Sequence, residues 1–539
     1  MTPMNINKAL KMHMLLGVMA AIQWHAPAAF AASVGVTGPT FNLVASPAQI
    51  SQPDGTFVYS WGYGCDGKPT GYAPAAISKG FCNSMQIPGP TLIVTEGDTV
   101  RVNLKNNLPG AAGNTSILFP GFNVTAVCAT AIGCSDGLLT KEVAPGKVVS
   151  YQFVASTPGT HTYYSGTQGD LQVEMGLFGA IIVLPKTIPA NCTSGIYAQN
   201  AAAQHAHGEP DYRLAPAAYN HPEACYDREY LFQFSEMDPS IHRAAEEQST
   251  RACTGCMNVP TEPYVPAYFM VNGRSMPDLM DPNYAQEYPH QPYNGDPHMH
   301  PGERTLLRII GTGRWQHPFH EHGNHVRILA RDGNIILSQT DPDSLAGPLL
   351  FTTTTTPGQA MDGIYYWTGK GLNWDAYGHN RTSGDATAKL SCTPDANGYN
   401  TGFAAGDTTF SASPNASVAS AINYFEWCQD HDKPLEAAPF GDVAGGGPAT
   451  LPDPNLFTNG TWYGGSPYLG PDATVRAVGS TGTTPPSGTI GNSPTEEAGF
   501  AFMWHSHNER EITTNNIFPG GMMMMMLVDS REFVIDETK

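Results

Sequence analysis

Residues 86–104 read QIPGPTLIVTEGDTVRVNL, and this stretch decides the fold. Two β-rich runs, 91–94 and 99–104, are joined by an acidic glycine turn at 96–98, which is typical of neighbouring β-strands. Similar apolar or alternating runs recur further along the chain, at 56–61, 148–153, 179–185, 229–235, 304–310 and 498–504. We therefore predict an all-β protein built from tandem β-sandwich domains.

The composition agrees with this fold class and argues against one class of binding partner. The chain has 539 residues, which is too long for one ordinary hydrophobic core. Charged residues make up only 14%, while 57 Gly and 45 Pro indicate many turns and short strands. The net charge of −20 argues against nucleic acid as a partner, because phosphates require basic patches.

The runs group into two blocks. We predict a first domain at 40–186, a linker of irregular structure at 187–224, and a second domain at 225–539. Residues 375–495 interrupt the second block with a long Gly-, Thr-, Ser- and Pro-rich insert. The alternative is three domains, with part of the insert folding independently.

The N-terminus indicates export. Lys8 and Lys11 precede an apolar stretch at 14–22, and Ala29-Phe30-Ala31 forms a small-x-small cleavage site. We predict a signal peptide at 1–31 and a periplasmic or secreted protein with no membrane span after cleavage; an uncleaved anchor is the alternative. Export makes the cysteines disulfide candidates, with neighbouring pairs Cys65–Cys82, Cys128–Cys134, Cys192–Cys225, Cys253–Cys256 and Cys392–Cys428.

Two histidine clusters carry the chemistry. Residues 317–323 read HPFHEHG and residues 504–507 read WHSH. An alternating His-x-His step on a strand places both imidazoles on one face. Two such pairs offer four nitrogens, a ligand set that suits copper or zinc. Another step, His298-Met299-His300, lies in a loop-like context and is a weaker metal candidate, whereas the Met522–Met526 run is better explained by core packing.

In their order these motifs resemble the multicopper oxidases, which are cupredoxin-fold proteins. The 86–109 region and the 159–185 region resemble the first domain of that family, 317–323 its HPxHxHG motif, and 505–522 its final HCHxxxH motif. The resemblance implies tandem cupredoxin-like Greek-key sandwiches and copper as the cofactor. It also implies His320, His322, His505 and His507 as metal ligands, with His317 as a less certain member.

The chain departs from the family at the ligands themselves. Ser506 stands at the position of the type 1 copper cysteine and Glu511 at that of its second histidine. The first-domain His-x-His pairs appear as Leu118-Phe119-Pro120 and Tyr164-Ser165-Gly166. A blue copper centre and half of the oxygen-reducing cluster are therefore not expected.

These observations leave three functional hypotheses. The first is an oxidoreductase that uses a reduced copper site on a small molecule or a metal ion. The second is a non-enzymatic periplasmic copper-binding or copper-handling protein. The third is a structural cupredoxin scaffold. A homo-oligomer is compatible with each of them.

Overall fold

A computed structural model of the chain describes residues 33–76, 82, 85–129, 132–206, 208–300, 302–367, 465–468, 474–475, 490–491, 499–529 and 533–537. The predicted signal peptide, the Cys392–Cys428 pair and most of the predicted insert lie outside these residues. None of the described helices is long and apolar enough to cross a membrane.

Twelve strands form the first sandwich and a small hairpin beside it. They are β1 (Gly35–Thr37), β2 (Thr40–Ser51), β3 (Phe57–Cys65), β4 (Tyr72–Ala73), β5 (Leu92–Thr95), β6 (Thr99–Asn106), β7 (Thr125–Cys128), β8 (Cys134–Asp136), β9 (Lys141–Val143), β10 (Val148–Val154), β11 (Gly159–Tyr164) and β12 (Phe178–Leu184). One sheet has the order β11-β12-β5-β1-β4 and the other β3-β2-β6-β10-β7, while β8 pairs with β9. The opening stretch of the sequence thus supplies β5 to one sheet and β6 to the other.

Alternation explains how the first core forms. Val100, Val102 and Leu104 of β6 point inward, and the residues between them face solvent or lie half-buried. Leu92 and Ile181 of the facing sheet belong to the same buried cluster. The two sheets therefore bury one face each against the other, as a sandwich requires.

Fifteen further strands belong to the second half of the chain. They are β13 (Arg228–Met237), β14 (Tyr268–Val271), β15 (His298–Met299), β16 (Arg304–Gly311), β17 (Pro318–Glu321), β18 (Val326–Arg331), β19 (Asn334–Ile335), β20 (Leu349–Leu350), β21 (Thr352–Thr354), β22 (Ala360–Tyr366), β23 (Gly465–Tyr468), β24 (Thr474–Val475), β25 (Ile490–Gly491), β26 (Gly499–Ser506) and β27 (Met523–Asp529). One sheet runs β14-β13-β16-β22-β18-β19 with β20 beside β18, and the other β15-β27-β26-β17-β21 with β23 beside β26.

The second core joins these two sheets. Phe232 and Ile309 from one sheet pack in the same cluster as Phe319 and Phe502 from the other. Met522, Met524 and Met526 are fully buried in this cluster, which confirms that the methionine run is core packing. The all-β prediction is confirmed, and β23 shows that the end of the predicted insert extends a sheet of the second sandwich.

Helices are few and lie outside the sheets. Among the described residues the α-helices are α1 (Gly169–Gln172), α2 (Gly195–Ala206) and α3 (Pro239–Ser249), and the 3-10 helices are Gly110–Ala112, Ala190–Thr193, Pro222–Ala224, Asp278–Met280 and Glu509–Ile512. The predicted irregular linker contains α2, so that part of the prediction was wrong. Five alanines in α2 explain the difference, because alanine has the highest helix propensity.

Disulfides link neighbouring segments of the chain, and an apolar contact joins the two sandwiches. Four predicted pairs are bonded: Cys65–Cys82, Cys128–Cys134, Cys192–Cys225 and Cys253–Cys256. Between the two halves, Ile87 and Phe178 share a buried cluster with Tyr268 and Met270. The limits of the two domains remain a prediction, but the described sandwiches contact each other through apolar side chains.

Candidate metal centre

Four histidine rings gather on one face of the β17–β26 strand pair. In the antiparallel register His320 lies directly opposite His505. His322 and His507 follow two residues later on their chains, so all four side chains leave the pair on the same side. The sequence separation between the pairs is large, but the strand register makes them neighbours.

The rings lie at distances expected for ligands of a common ion. Their centroids are separated by 4.5 Å (His320–His322), 4.6 Å (His320–His507), 4.9 Å (His505–His507), 5.3 Å (His322–His505) and 5.9 Å (His320–His505). Two imidazoles that bind one ion through nitrogens about 2.0 Å from it have ring centres about 5 Å apart. His320, His322 and His505 are buried and His507 is exposed, so the cluster reaches the protein surface.

Neighbouring groups orient two of the rings. Nδ1 of His320 lies 2.8 Å from Oγ1 of Thr352 on β21, and Nδ1 of His505 lies 2.9 Å from the carbonyl oxygen of Ser506. These bonds engage Nδ1 and leave Nε2 as the nitrogen for a ligand, which is how outer hydrogen bonds commonly orient metal-binding histidines.

Burial and neighbouring rings keep two of the four histidines neutral. Burial and the neighbouring rings of His322, His507 and His505 lower the pKa of His320 to about 3. Burial likewise lowers the pKa of His505, with a further contribution from His507. Neutral imidazole is the form that binds metals, so His320 and His505 are in the ligand state at neutral pH.

The distances between ring nitrogens show which histidines already have the spacing of ligands to one ion. Nε2 of His322 and Nε2 of His505 are 3.1 Å apart, close to the separation of two nitrogens about 2.0 Å from one ion. Within the described part of the chain, no three His, Cys, Asp or Glu side chains already surround a single point at ligand distance. In the absence of an ion one of these two rings donates to the other, and the same spacing suits two ligands of one ion. A third ligand requires His320 or His507 to turn toward that pair.

Ser506 points to the opposite side of the same strand. Its hydroxyl donates to Oε2 of Glu511, and that oxygen lies 3.0 Å from Nδ1 of His317. Nε2 of His317 is 2.9 Å from Oε2 of Glu236. The positions that the resemblance assigns to a type 1 copper thus meet in space, but a serine and carboxylates surround the histidine.

His317 is consequently not part of the four-ring cluster. Burial opposes its charged form, but the hydrogen bonds with Glu236 and Glu511 outweigh burial and raise the pKa of His317 to about 9. An imidazolium has no free lone pair for a metal. The eight cysteines within the described residues all form disulfides, so none of them supplies a thiolate here.

The His298–His300 step lies in a separate charged cluster. Nδ1 of His298 is 2.5 Å from Oδ2 of Asp529, and Nε2 of His300 is 2.9 Å from Oε1 of Glu209. Burial lowers the pKa of His298, but Asp529 and Asp296 outweigh it and raise that pKa to about 10. His298 forms an ion pair and His300 a hydrogen-bonded contact with Glu209, and these partners explain the burial of both histidines without a metal.

Sequence reasoning missed Thr352 and Glu236. Thr352 orients His320 across the β17–β21 pair, and Glu236 lies on β13 in the other sheet of the second sandwich. Neither residue belongs to a motif, so no local signal indicates it. Glu511 was recognised by its spacing from Ser506, because that spacing follows the final motif.

Comparison with known proteins identifies relatives that match part of the chain. The family described as multicopper oxidase matches residues 74–188. Multicopper oxidase MCE of Talaromyces pinophilus is 32% identical over 145 residues, which cover 25% of this chain and 22% of that protein. Laccase 1 of Metarhizium acridum is 34% identical over 121 residues, covering 22% and 18%, so the chain matches about a fifth of the length of these relatives. A copper-containing nitrite reductase of Pseudomonas chlororaphis is 34% identical over 102 residues, covering 19% of this chain and 25% of that protein.

Solved structures resemble the chain more broadly but more weakly. Multicopper oxidase mgLAC is 15% identical, with coverage of 91% of this chain and 86% of that chain and a TM-score of 0.44. Blue copper oxidase from Nitrosomonas europaea is 15% identical, with coverage of 91% and 85% and a TM-score of 0.43. Likeness at this level carries no functional argument.

Proposed function

This chain belongs to the multicopper oxidase superfamily, and on that premise we propose that it binds copper through His320, His322, His505 and His507. The observation that carries the proposal is the convergence of four imidazoles on one face of the β17–β26 pair. An all-nitrogen donor set suits copper, and zinc binds the same ligands.

We further propose that the copper-loaded protein is an exported oxidoreductase. Bound copper supplies one-electron redox chemistry. The protein residues keep His320 and His505 neutral, orient His320 through Thr352, and leave His507 at the surface, where a small reducing molecule or a metal ion has access. Because Ser506 and Glu511 occupy the positions of thiolate and imidazole, a reducing substrate reaches the four-histidine site without a blue copper intermediary.

A non-enzymatic role in copper storage or delivery is the second candidate. The observation in its favour is the loss of the electron-entry ligands, since His317 is held by Glu236 and Glu511. The two candidates share the metal site and differ in turnover. Copper-loaded protein that oxidises neither phenols nor metal ions would favour the storage role.

Metal analysis with EPR tests the site directly. We expect the wild-type protein to bind copper with a type 2 EPR signal, and the His505→Ala/His507→Ala variant to lose that signal together with the copper. His205→Ala is the control, because His205 is an exposed histidine of α2 away from the cluster. Unchanged copper content in the double variant would refute the site.

A further inference from the structure

A cavity of about 510 Å³ lies between the two sandwiches, outside the histidine cluster. Residues of the first half line one side and residues of the second half the other; those used below are Leu118, Leu138, Leu139, Glu142, Tyr164 and Arg314. A volume of this size is in the range of small-molecule pockets.

The cavity lies where the family resemblance would place the first-domain metal ligands. Leu118 and Tyr164 are directly paired through their backbones, with Leu118 N donating to the Tyr164 carbonyl at 2.7 Å. The side chains of a directly opposed pair lie on the same face, so both contribute to one wall. Leu118 and Tyr164 stand where the resemblance implies histidine ligands, so this wall of the cavity is mainly apolar.

The charges in the lining are already engaged. The Arg314 guanidinium donates to Glu262 at 2.8 Å and to the Thr261 carbonyl at 3.0 Å, and it lies over the Tyr264 ring at 4.0 Å. Glu142 accepts from the Asn114 amide at 3.3 Å. The lining thus contains one positive and one negative side chain, and both already have hydrogen-bond partners. The cavity therefore favours a neutral ligand over an ionic one.

Two leucines at the mouth expose apolar surface. Leu138 and Leu139 lie in the loop of the β8–β9 hairpin and are 92% and 65% exposed. The Asp136–Lys141 ion pair and the Cys128–Cys134 disulfide hold this hairpin in place. A ligand in the cavity would cover these side chains, and removal of that apolar area from water favours binding.

Tyr164 supplies a polar contact. Its hydroxyl makes no hydrogen bond to another group within the described residues, although it lies near Gly358 on the opposite wall. Partial burial raises the pKa of Tyr164, so the phenol stays protonated at neutral pH and can donate a hydrogen bond.

We propose that this inter-sandwich cavity binds a small, neutral, mainly apolar organic molecule that carries a hydrogen-bond acceptor. The apolar part of the ligand contacts Leu118, Leu138 and Leu139, and its acceptor atom accepts a hydrogen bond from the Tyr164 hydroxyl. The site is separate from the proposed copper centre and does not depend on it.

Titration with Nile red, a neutral aromatic dye with a carbonyl acceptor, tests the proposal on the full chain. We expect saturable binding of one dye per chain, with enhanced and blue-shifted fluorescence. Leu138→Ser/Leu139→Ser removes apolar contact at two exposed positions, so the fold is retained and affinity falls about tenfold. Tyr164→Phe keeps the ring and removes the donor, which weakens binding about fivefold.

Ile132→Ser is the matched control, because Ile132 is 78% exposed, lies near the same hairpin and does not line the cavity. Its affinity for the dye should equal that of the wild type. The proposal is overturned if the dye shows no saturable binding, or if the Leu138→Ser/Leu139→Ser and control variants bind it equally.

Discussion

Single residues decide which copper chemistry is open to this chain. Strand alternation sends His505 to one face of β26 and Ser506 to the other, where its hydroxyl donates to Glu511. Both positions follow from the spacing of the final motif, so the sequence was sufficient to predict a missing thiolate. The partner on the other side of His317 was not predictable, because Glu236 lies on a distant strand.

Restoring two residues should recreate a blue site. We expect Ser506→Cys combined with Glu511→His to show intense visible absorption with Cu(II), because a thiolate and a second imidazole would then face His317. The wild type and Glu511→His alone should show none, since both lack the thiolate. A folded double variant that holds copper at this position and remains colourless would contradict the geometric assignment.

At the scale of elements, the strands were easier to predict than the helices. Alternating burial in β6 and β10 appears directly in their sequences. The helix α3 was not predicted, although Asp238 caps it by accepting from Ser240 N at 2.9 Å, and the same carboxylate accepts from Val265 N at 2.8 Å. The second contact involves Val265, which lies 27 residues further along the sequence, so local propensity does not predict it.

The Asp238 cap should therefore contribute measurably to stability. We expect Asp238→Ala to lower the free energy of unfolding by about 1–2 kcal/mol, because a buried carboxylate satisfies donors of both the helix and the following loop. Glu247→Ala, on the exposed side of the same helix, should change it by less than about 0.5 kcal/mol. Denaturant titration of both variants measures the difference, and equal values would exclude a capping role.

At the scale of the whole molecule, buried polar groups connect the two sandwiches. Glu174 of the first half accepts from the hydroxyl of Tyr264 at 2.7 Å and from Asp238 N at 2.6 Å. The Tyr264 hydroxyl oxygen also lies 3.2 Å from Oε1 of Glu236, the partner of His317. Hydrogen bonds thus connect the surroundings of His317 to the contact between the sandwiches, and no sequence motif indicates this connection.

Glu174 should make stability depend on pH. Burial, with a contribution from Glu236, raises the pKa of Glu174 to about 8 from an ordinary value of 4.5. Between these values the unfolded chain releases a proton that the folded protein retains, so this group lowers stability as pH rises from 4.5 to 8.

Glu174→Gln removes that titration while keeping the side-chain shape. We expect the melting temperature of the variant, relative to wild type, to be higher at pH 8 than at pH 5. Thermal denaturation at both values measures the change. Glu96→Gln serves as the control for removal of a carboxylate from an exposed position, where the side chain accepts from Lys186 N. A constant difference for Glu174→Gln would show that the carboxyl is not protonated in the folded state.

The sequence by itself determined the β-sandwich class, four disulfides and the face shared by each histidine pair. These features depend on local alternation and on neighbours close along the chain. Only the tertiary structure decided that His320 and His505 are opposite each other, that Glu236 and Glu511 hold His317, and that a cavity opens between the sandwiches. The histidine contacts join residues from about 80 to about 195 positions apart, and strand register and sheet packing, not local pattern, bring such residues together.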